Sequence, residues 1–418
     1  LFVVLYFIYI GAFIPLKTTL FFFLALFPFL NLKKYKFIPI SKDFLNITFL
    51  WFIYFIFNFI LSIINGFALP TFKVFFNIYF LIPFSYTTAQ LISNKFNLFR
   101  IYKLLILITF LINISNYALL FLDFYGFRDN TIINAVFTDK SFGALVNISG
   151  SLMFRSQNVI ALIYLIPLNF HLLFKSYLNF SSKFQNLLKV NILTGLIIVF
   201  LSGRRALQYG AALSFLSLLI PLFIQNIRFK TIPIKRIKNI FKPNIFNLAL
   251  ITLVIFLFIQ VINILTENIS LDLLISRFTE TLLAPFDSSS RGTMVRDDQY
   301  NILFNGWLDS PIIGHGLTSF PDLYFRGGPS FEAILHAMLY QTGLLGTSIY
   351  FAFIYFCLFG KSYPSLNAIL NQNKNHAIPF ATFWFLLASF TNPFGFNVVV
   401  WVLLIYYRIN KKNKFLDI

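Results

Sequence analysis

The amino-acid sequence predicts an all-α, polytopic membrane protein with about twelve transmembrane helices and one large outer loop. Three observations lead there. The chain is 58% hydrophobic and only 11% charged, with mean hydropathy +0.78, whereas soluble domains carry about 25% charged residues. Apolar runs near the roughly 20 residues needed to cross a bilayer recur along most of its length. The loops between these runs alternate in charge, as the positive-inside tendency requires.

Taken in order, the apolar segments are 1–16, 18–32, 44–65, 70–93, 104–122, 151–174, 187–202, 206–225, 248–266, 334–360, 377–391 and 397–408. Asn65-Gly66 reads as a tight turn between the third and fourth. The 59 Phe are mostly lipid-facing filler. Ala12 lies in an apolar run with no polar cleavage region after it, so no cleavable signal peptide is expected. With Lys33–Lys36 placed in the cytoplasm, the loops 94–103, 175–186, 226–247 and 361–376 and the tail after 408 all fall on the same side, and all are basic. The loops 123–150 and 267–333 fall outside. Residues 1–418 thus read as a single membrane domain with both termini cytoplasmic. The net charge of +19 belongs to topology and calls for no nucleic acid. Cys357 is the only cysteine, which excludes a disulfide framework and a thiolate cluster, and the four histidines have no metal-site spacing. No metal or other cofactor is expected.

Polar chemistry concentrates in the larger outer loop. Nine of the fourteen carboxylates lie there: Glu267, Asp272, Glu280, Asp287, Asp297, Asp298, Asp309, Asp322 and Glu332. Its cations are Arg277, Arg291, Arg296 and Arg326. Arg204 and Arg205 follow the seventh segment on the outer side, against the positive-inside tendency. Arg155 stands at the start of the sixth, also outside. Each has a bland reading, an anchor snorkelling to headgroups, and a functional one: a guanidinium fork suited to phosphate oxygens. For Arg296, beside Asp297 and Asp298, the bland reading is a local salt bridge. Glu332 and His336 are spaced i, i+4 and share a helix face with Leu339 and Gly343. A carboxylate partly withdrawn from water suits a general base; the bland reading of Glu332 is a helix N-terminal acid. Gly314-His315-Gly316 reads as a tight turn.

Four elements in order resemble the bacterial O-antigen polymerase/ligase superfamily. They are MFRSQN at 153–158, SGRR at 202–205, Arg291 followed by a helix and the turn Pro311-Ile312-Ile313-Gly314-His315-Gly316, and a helix ending Gly343-Leu344-Leu345-Gly346. The ligases of that family carry a His-Asn pair eleven residues before the first closing glycine. Here that register holds Glu332 and Ala333, which looks more like the polymerase branch. The resemblance implies a lipid-carrier glycosyltransferase-like fold and a metal-independent reaction at the outer face of the bacterial plasma membrane. The donor would be an undecaprenyl-pyrophosphate-linked oligosaccharide, extended into O-antigen, capsule or another surface polysaccharide. It assigns Arg155, Arg204, Arg205 and Arg291 to the pyrophosphate and Glu332 to the acceptor proton, with Arg291 also catalytic and His336 and Arg296 secondary. It implies a chain-length regulator and a flippase as partners, besides membrane lipids. Three rivals remain open: an O-antigen ligase acting on lipid A core, a lipid-linked oligosaccharide flippase or other transporter, and a structural or assembly membrane protein without catalysis, which leaves the outer arginines unexplained. A transporter calls for midplane charges and broken helices in matched halves, and no internal repeat is evident in the sequence.

Overall fold

The computed structural model describes residues 42–67, 81–94, 96–124, 144–148, 151–155, 159–174, 180–202, 207–218, 291–321, 334–358, 376–389 and 398–416, with parts of 19–27. Helices dominate. They are α1 (Lys42–Ile64), α2 (Leu81–Ser93), α3 (Leu98–Phe124), α4 (Val159–Phe174), α5 (Ser182–Leu201), α6 (Leu207–Leu218), α7 (Arg291–Leu308), α8 (Ile334–Leu358), α9 (Ala377–Ser389) and α10 (Val398–Leu416). Between α3 and α4 stands one antiparallel hairpin, β1 (Ala144–Ile148) with β2 (Ser151–Arg155), in the register Ile148↔Ser151 to Ala144↔Arg155.

Among the described residues, four helices are long and apolar enough to cross a membrane: Lys42–Ile64, Leu98–Leu122, Ser182–Leu201 and Leu335–Leu358. Four shorter apolar helices accompany them: Val159–Phe174, Leu207–Leu218, Ala377–Ala388 and Val399–Asn410. Each of the eight falls on one of the apolar segments read from the sequence. The segments 1–16 and 248–266 lie outside the described residues. One boundary differs. The sixth segment begins at 151 in the sequence, but Ser151–Arg155 is a strand and the helix starts at Val159. Ser149-Gly150, a turn-forming pair between two short apolar runs, is the signal for this hairpin.

The chain divides into two compact units. One holds 1–14, 99–283 and 365–384, the other 15–98, 284–364 and 385–418. In the first, α3, α4 and α5 join through buried amides. Asn113 Nδ2 donates to the Asn191 carbonyl (3.0 Å) and to Thr194 Oγ1 (2.8 Å). Asn191 Nδ2 donates to the Ile106 carbonyl at 2.8 Å, and Asn169 Nδ2 to Thr109 Oγ1 at 3.0 Å. Helices in lipid lack a hydrophobic drive to associate, and interhelical hydrogen bonds supply part of the replacement. At the start of α3, the Lys103 ammonium lies 4.4 Å from the Phe99 ring centre and 5.1 Å from that of Phe184, a cation–π arrangement.

The second unit contains α1, α2, α7, α8 and α10. Helix α1 inverts the pattern of a water-soluble helix. It buries Trp51, Tyr54, Phe55, Asn58 and Ser62 and exposes Phe49, Ile53, Ile56, Phe57, Ile60 and Ile64. Its polar groups turn inward because lipid cannot hydrogen-bond them. Asp43 in its first turn complements the helix dipole. At its other end Gly66 (φ 86) closes a Schellman cap: the Phe67 N–H donates to the Ser62 carbonyl at 2.9 Å and the Gly66 N–H to that of Ile63 at 3.0 Å. In the core, Phe353 of α8 packs at tilted ring angles against Trp51 (5.3 Å), Phe44 (5.8 Å) and Trp401 of α10 (5.4 Å). Helix α10 packs on α2, and its Arg408 Nε donates to the Cys357 carbonyl at 2.6 Å. That bond satisfies one of the carbonyls that the last turn of α8 leaves without a helical partner.

Candidate functional site

Helix α8 is broken at Gly343, whose φ of 61° and ψ of −172° are not helical. This region of backbone space is essentially reserved for glycine. A break inside an apolar helix frees backbone groups that lipid cannot satisfy. The turn after α7 fills the gap. His315 and Gly316 N–H groups donate to the Tyr340 and Gln341 carbonyls, both at 2.9 Å. The Leu344 and Leu345 N–H groups donate to the Pro311 and Ile312 carbonyls at 2.9 and 3.1 Å. Tyr54 of α1 donates its hydroxyl to the Thr342 carbonyl. Residues 311–316 thus replace the missing helical turn.

The glycines follow from this close approach. A Cβ on Gly314 (φ 72) would stand 2.5 Å from the Gln341 carbonyl, and one on Gly316 (φ 97) 2.8 Å from the Ser62 nitrogen. A Cβ on Gly343 would collide with the Ile312 carbonyl, and one on Gly346 with the Tyr54 ring and Thr342. The first three positions meet backbone and Gly346 meets the Tyr54 ring and the Thr342 side chain, so none has room for a Cβ. The residues that suggested a Pro-x-x-Gly-x-Gly turn and a Gly-x-x-Gly helix end therefore build one joint. Thr318, φ 62, is a β-branched residue in the left-handed region, a strained conformation. It is held between Ser319, whose Oγ donates to the Gly316 carbonyl at 2.6 Å, and the Leu317 carbonyl that Ser62 Oγ engages.

Helix α7 runs parallel to the first part of α8. Tyr300 packs against His336 with ring centres 4.5 Å apart. Leu303 packs with Ala337 and Tyr340, and a Cβ on Gly306 would meet the Tyr340 ring at 2.7 Å. His315 lies over Tyr340 (4.5 Å, 23°) with Nε2 at 2.8 Å from the Gly306 carbonyl. That bond engages the imidazole in fastening the turn to α7. Trp307 Nε1 donates to the Pro311 carbonyl at 2.9 Å.

The sequence-derived candidates separate accordingly. His336 is half-buried against Tyr300. Arg296 lies on α7 one turn before Tyr300, and Arg291 is the first residue of that helix; both are placed by backbone alone. Arg155, expected at the start of a transmembrane helix, instead ends β2, paired with Ala144. Glu332, Arg204 and Arg205 lie outside the described residues. Among the described residues, no group of three or more His, Cys, Asp or Glu is placed to hold a metal ion. Sequence reading missed Tyr54, Ser62 and Asn65, the last donating Nδ2 to the His315 carbonyl at 2.8 Å. The signal was present: Tyr54, Asn58 and Ser62 recur at i, i+4 spacing in an otherwise apolar helix.

The length and composition of the helices and the inward polar face of α1 define a helical, membrane-embedded protein. No family model, no curated protein and no solved structure matches the chain.

Proposed function

We propose that this protein is a polymerase that joins undecaprenyl-pyrophosphate-linked oligosaccharide repeat units into a surface polysaccharide at the outer face of the bacterial plasma membrane. The proposed frame is twelve spans, an outer loop at 267–333 and cytoplasmic termini. One observation carries the reading. The turn and the closing glycines that resemble the polymerase/ligase superfamily form a single joint, and the helix opened by Arg291 packs against the helix bearing His336. In the reaction an acceptor sugar hydroxyl attacks the anomeric carbon of the donor. The bond from that carbon to the pyrophosphate oxygen breaks, and the pyrophosphate departs on its prenyl carrier. Arg155, Arg204, Arg205 and Arg291 offset the charge developing on the leaving group. Glu332 takes the hydroxyl proton.

The test uses purified protein with a lipid-linked repeat unit as donor and acceptor, and chain length as readout. Glu332→Gln keeps shape and loses basicity, so polymer formation falls about 100–10,000-fold. Arg291→Ala costs about 100–1000-fold, and Arg291→Lys already impairs the reaction because the fork is lost. His336→Ala is milder. Wild-type chains from Glu332→Gln refute the assignment of the base. No polymer from the wild type, with transfer to a lipid A core acceptor, establishes the ligase reading instead. The broken helix α8 is the one observation favouring a flippase. There, however, the Tyr340, Gln341 and Thr342 carbonyls and the Leu344 and Leu345 N–H groups are engaged by the protein itself. Translocation of the lipid-linked unit without chain growth would decide for that reading.

A further inference from the structure

We infer that residues 304–313 form a re-entrant limb inside the apolar layer of the bilayer, with Phe304, Trp307, Leu308, Ile312 and Ile313 against acyl chains. The inference concerns a segment that the sequence assigns to an aqueous outer loop, and it does not rest on the glycosyltransferase reading. Two helices act as rulers. The apolar span of α8 begins at Leu335, so Gly343 lies eight residues in, about 12 Å along the axis at 1.5 Å per residue. The hydrocarbon core is about 30 Å thick. The backbone bonds to Tyr340, Gln341, Leu344 and Leu345 hold residues 311–316 at that depth. Independently, the Tyr54 hydroxyl donates to the Ile313 carbonyl at 3.1 Å, and Tyr54 lies near the middle of α1, a span of 23 residues. From there the segment runs beside Ser62 and Asn65. Over the same stretch α1 exposes Ile56, Phe57, Ile60, Ile63 and, at 74%, Ile64. Such a face is at home only in lipid.

The surface of the limb matches its depth. Level with His336, α7 exposes Asp297 and Asp298; further along it exposes Phe304 and Leu308. The turn then exposes Ile312 at 65% and Ile313, beside Leu344 and Leu345 of α8, which are exposed as well. These side chains continue the lipid-facing surface of the two spans. Asn301 and Asn305 of α7 and Asp309 just beyond its end, also exposed, follow one another at i, i+4 spacing and form a polar edge alongside Phe304 and Leu308. That edge faces a hydrated side of the limb, because a carboxylate within hydrocarbon is costly.

Trp307 is a native reporter, since Trp51, Trp384 and Trp401 are buried. Wild type and Trp307→Phe are reconstituted in phosphatidylcholine vesicles, and the difference between their emissions isolates Trp307. Phosphatidylcholine brominated on its acyl chains should remove most of that difference signal, and aqueous iodide should leave it unchanged. Quenching by iodide without quenching by brominated lipid overturns the inference and returns the limb to water. A second measurement does not depend on Trp307. In a Cys357→Ala background, Asn305→Cys should react with a membrane-impermeant thiol reagent and Ile312→Cys should not. Equal reaction at both positions overturns the inference, and protection of both overturns the hydrated edge.

Discussion

Gly343→Ala tests whether the joint is built as described. Two responses are open to the alanine. If the break persists, the residue occupies backbone space reserved for glycine, at a cost of about 1–3 kcal/mol. Its Cβ also collides with the Ile312 carbonyl and lies 2.6 Å from the Ile313 nitrogen. If α8 straightens instead, the Leu344 and Leu345 N–H groups return to the Tyr340 and Gln341 carbonyls. The four bonds between helix and turn are then replaced by two helical ones. The net loss of two bonds, at about 0.5–1.5 kcal/mol each, comes with loss of the packing of the turn. Either route costs about 1–3 kcal/mol, to which the collision or the lost packing adds. Gly66 is the internal control. Its φ is 86°, but a Cβ there meets nothing within 4 Å, so Gly66→Ala costs only the left-handed term, about 1–2 kcal/mol. Both variants can be compared by equilibrium unfolding in mixed micelles. If the turn leaves, Trp307 loses its bond to the Pro311 carbonyl and its emission shifts. Equal stability of the two variants, with unchanged Trp307 emission in Gly343→Ala, refutes the joint.

Three further outcomes are expected. Tyr54→Phe removes the donor shared by the Thr342 and Ile313 carbonyls and destabilises by about 1–3 kcal/mol, since the bond to Thr342 is buried; an unchanged unfolding midpoint contradicts their pairing. Asn191→Leu breaks the bridge to Ile106 and costs about 0.6 kcal/mol, the average for hydrogen bonds between membrane helices, and at most about 1.7 kcal/mol; a gain in stability in the same unfolding assay contradicts its role as glue. In intact cells Ser289→Cys should be labelled by an impermeant thiol reagent and Asn413→Cys only after permeabilisation; the reverse pattern inverts the proposed topology.

Much of the architecture was readable one residue at a time. Lipid solvates no backbone group, so spans must be helices of a set length. The segments 44–65, 104–122 and 187–202 accordingly coincide with helices to within a few residues, apart from the longer ends of α3 and α5. The hairpin at 144–155 was harder, because Leu152-Met153-Phe154 reads as the apolar start of the next span although Arg155-Ser156-Gln157-Asn158 separates it from α4, and only Ser149-Gly150 signals a turn. The left-handed turn at Gly314-His315-Gly316 was also legible, because glycine punctuates turns locally.

The sequence by itself thus determined the membrane class and the presence of a glycine-rich turn followed by a Gly-x-x-Gly helix. Folding of the chain in three dimensions alone established what those glycines are for. Gly314 and Gly343 are separated by 29 positions in the chain, and nothing in their local sequence says that one fills the break made by the other. The same holds for Tyr54, which reaches Thr342 across 288 positions. Propensity, periodicity and charge act between near neighbours. A backbone bond across a broken helix depends on two segments meeting at one depth, and the mutual exclusion of side chains there is a property of the contact, not of either segment.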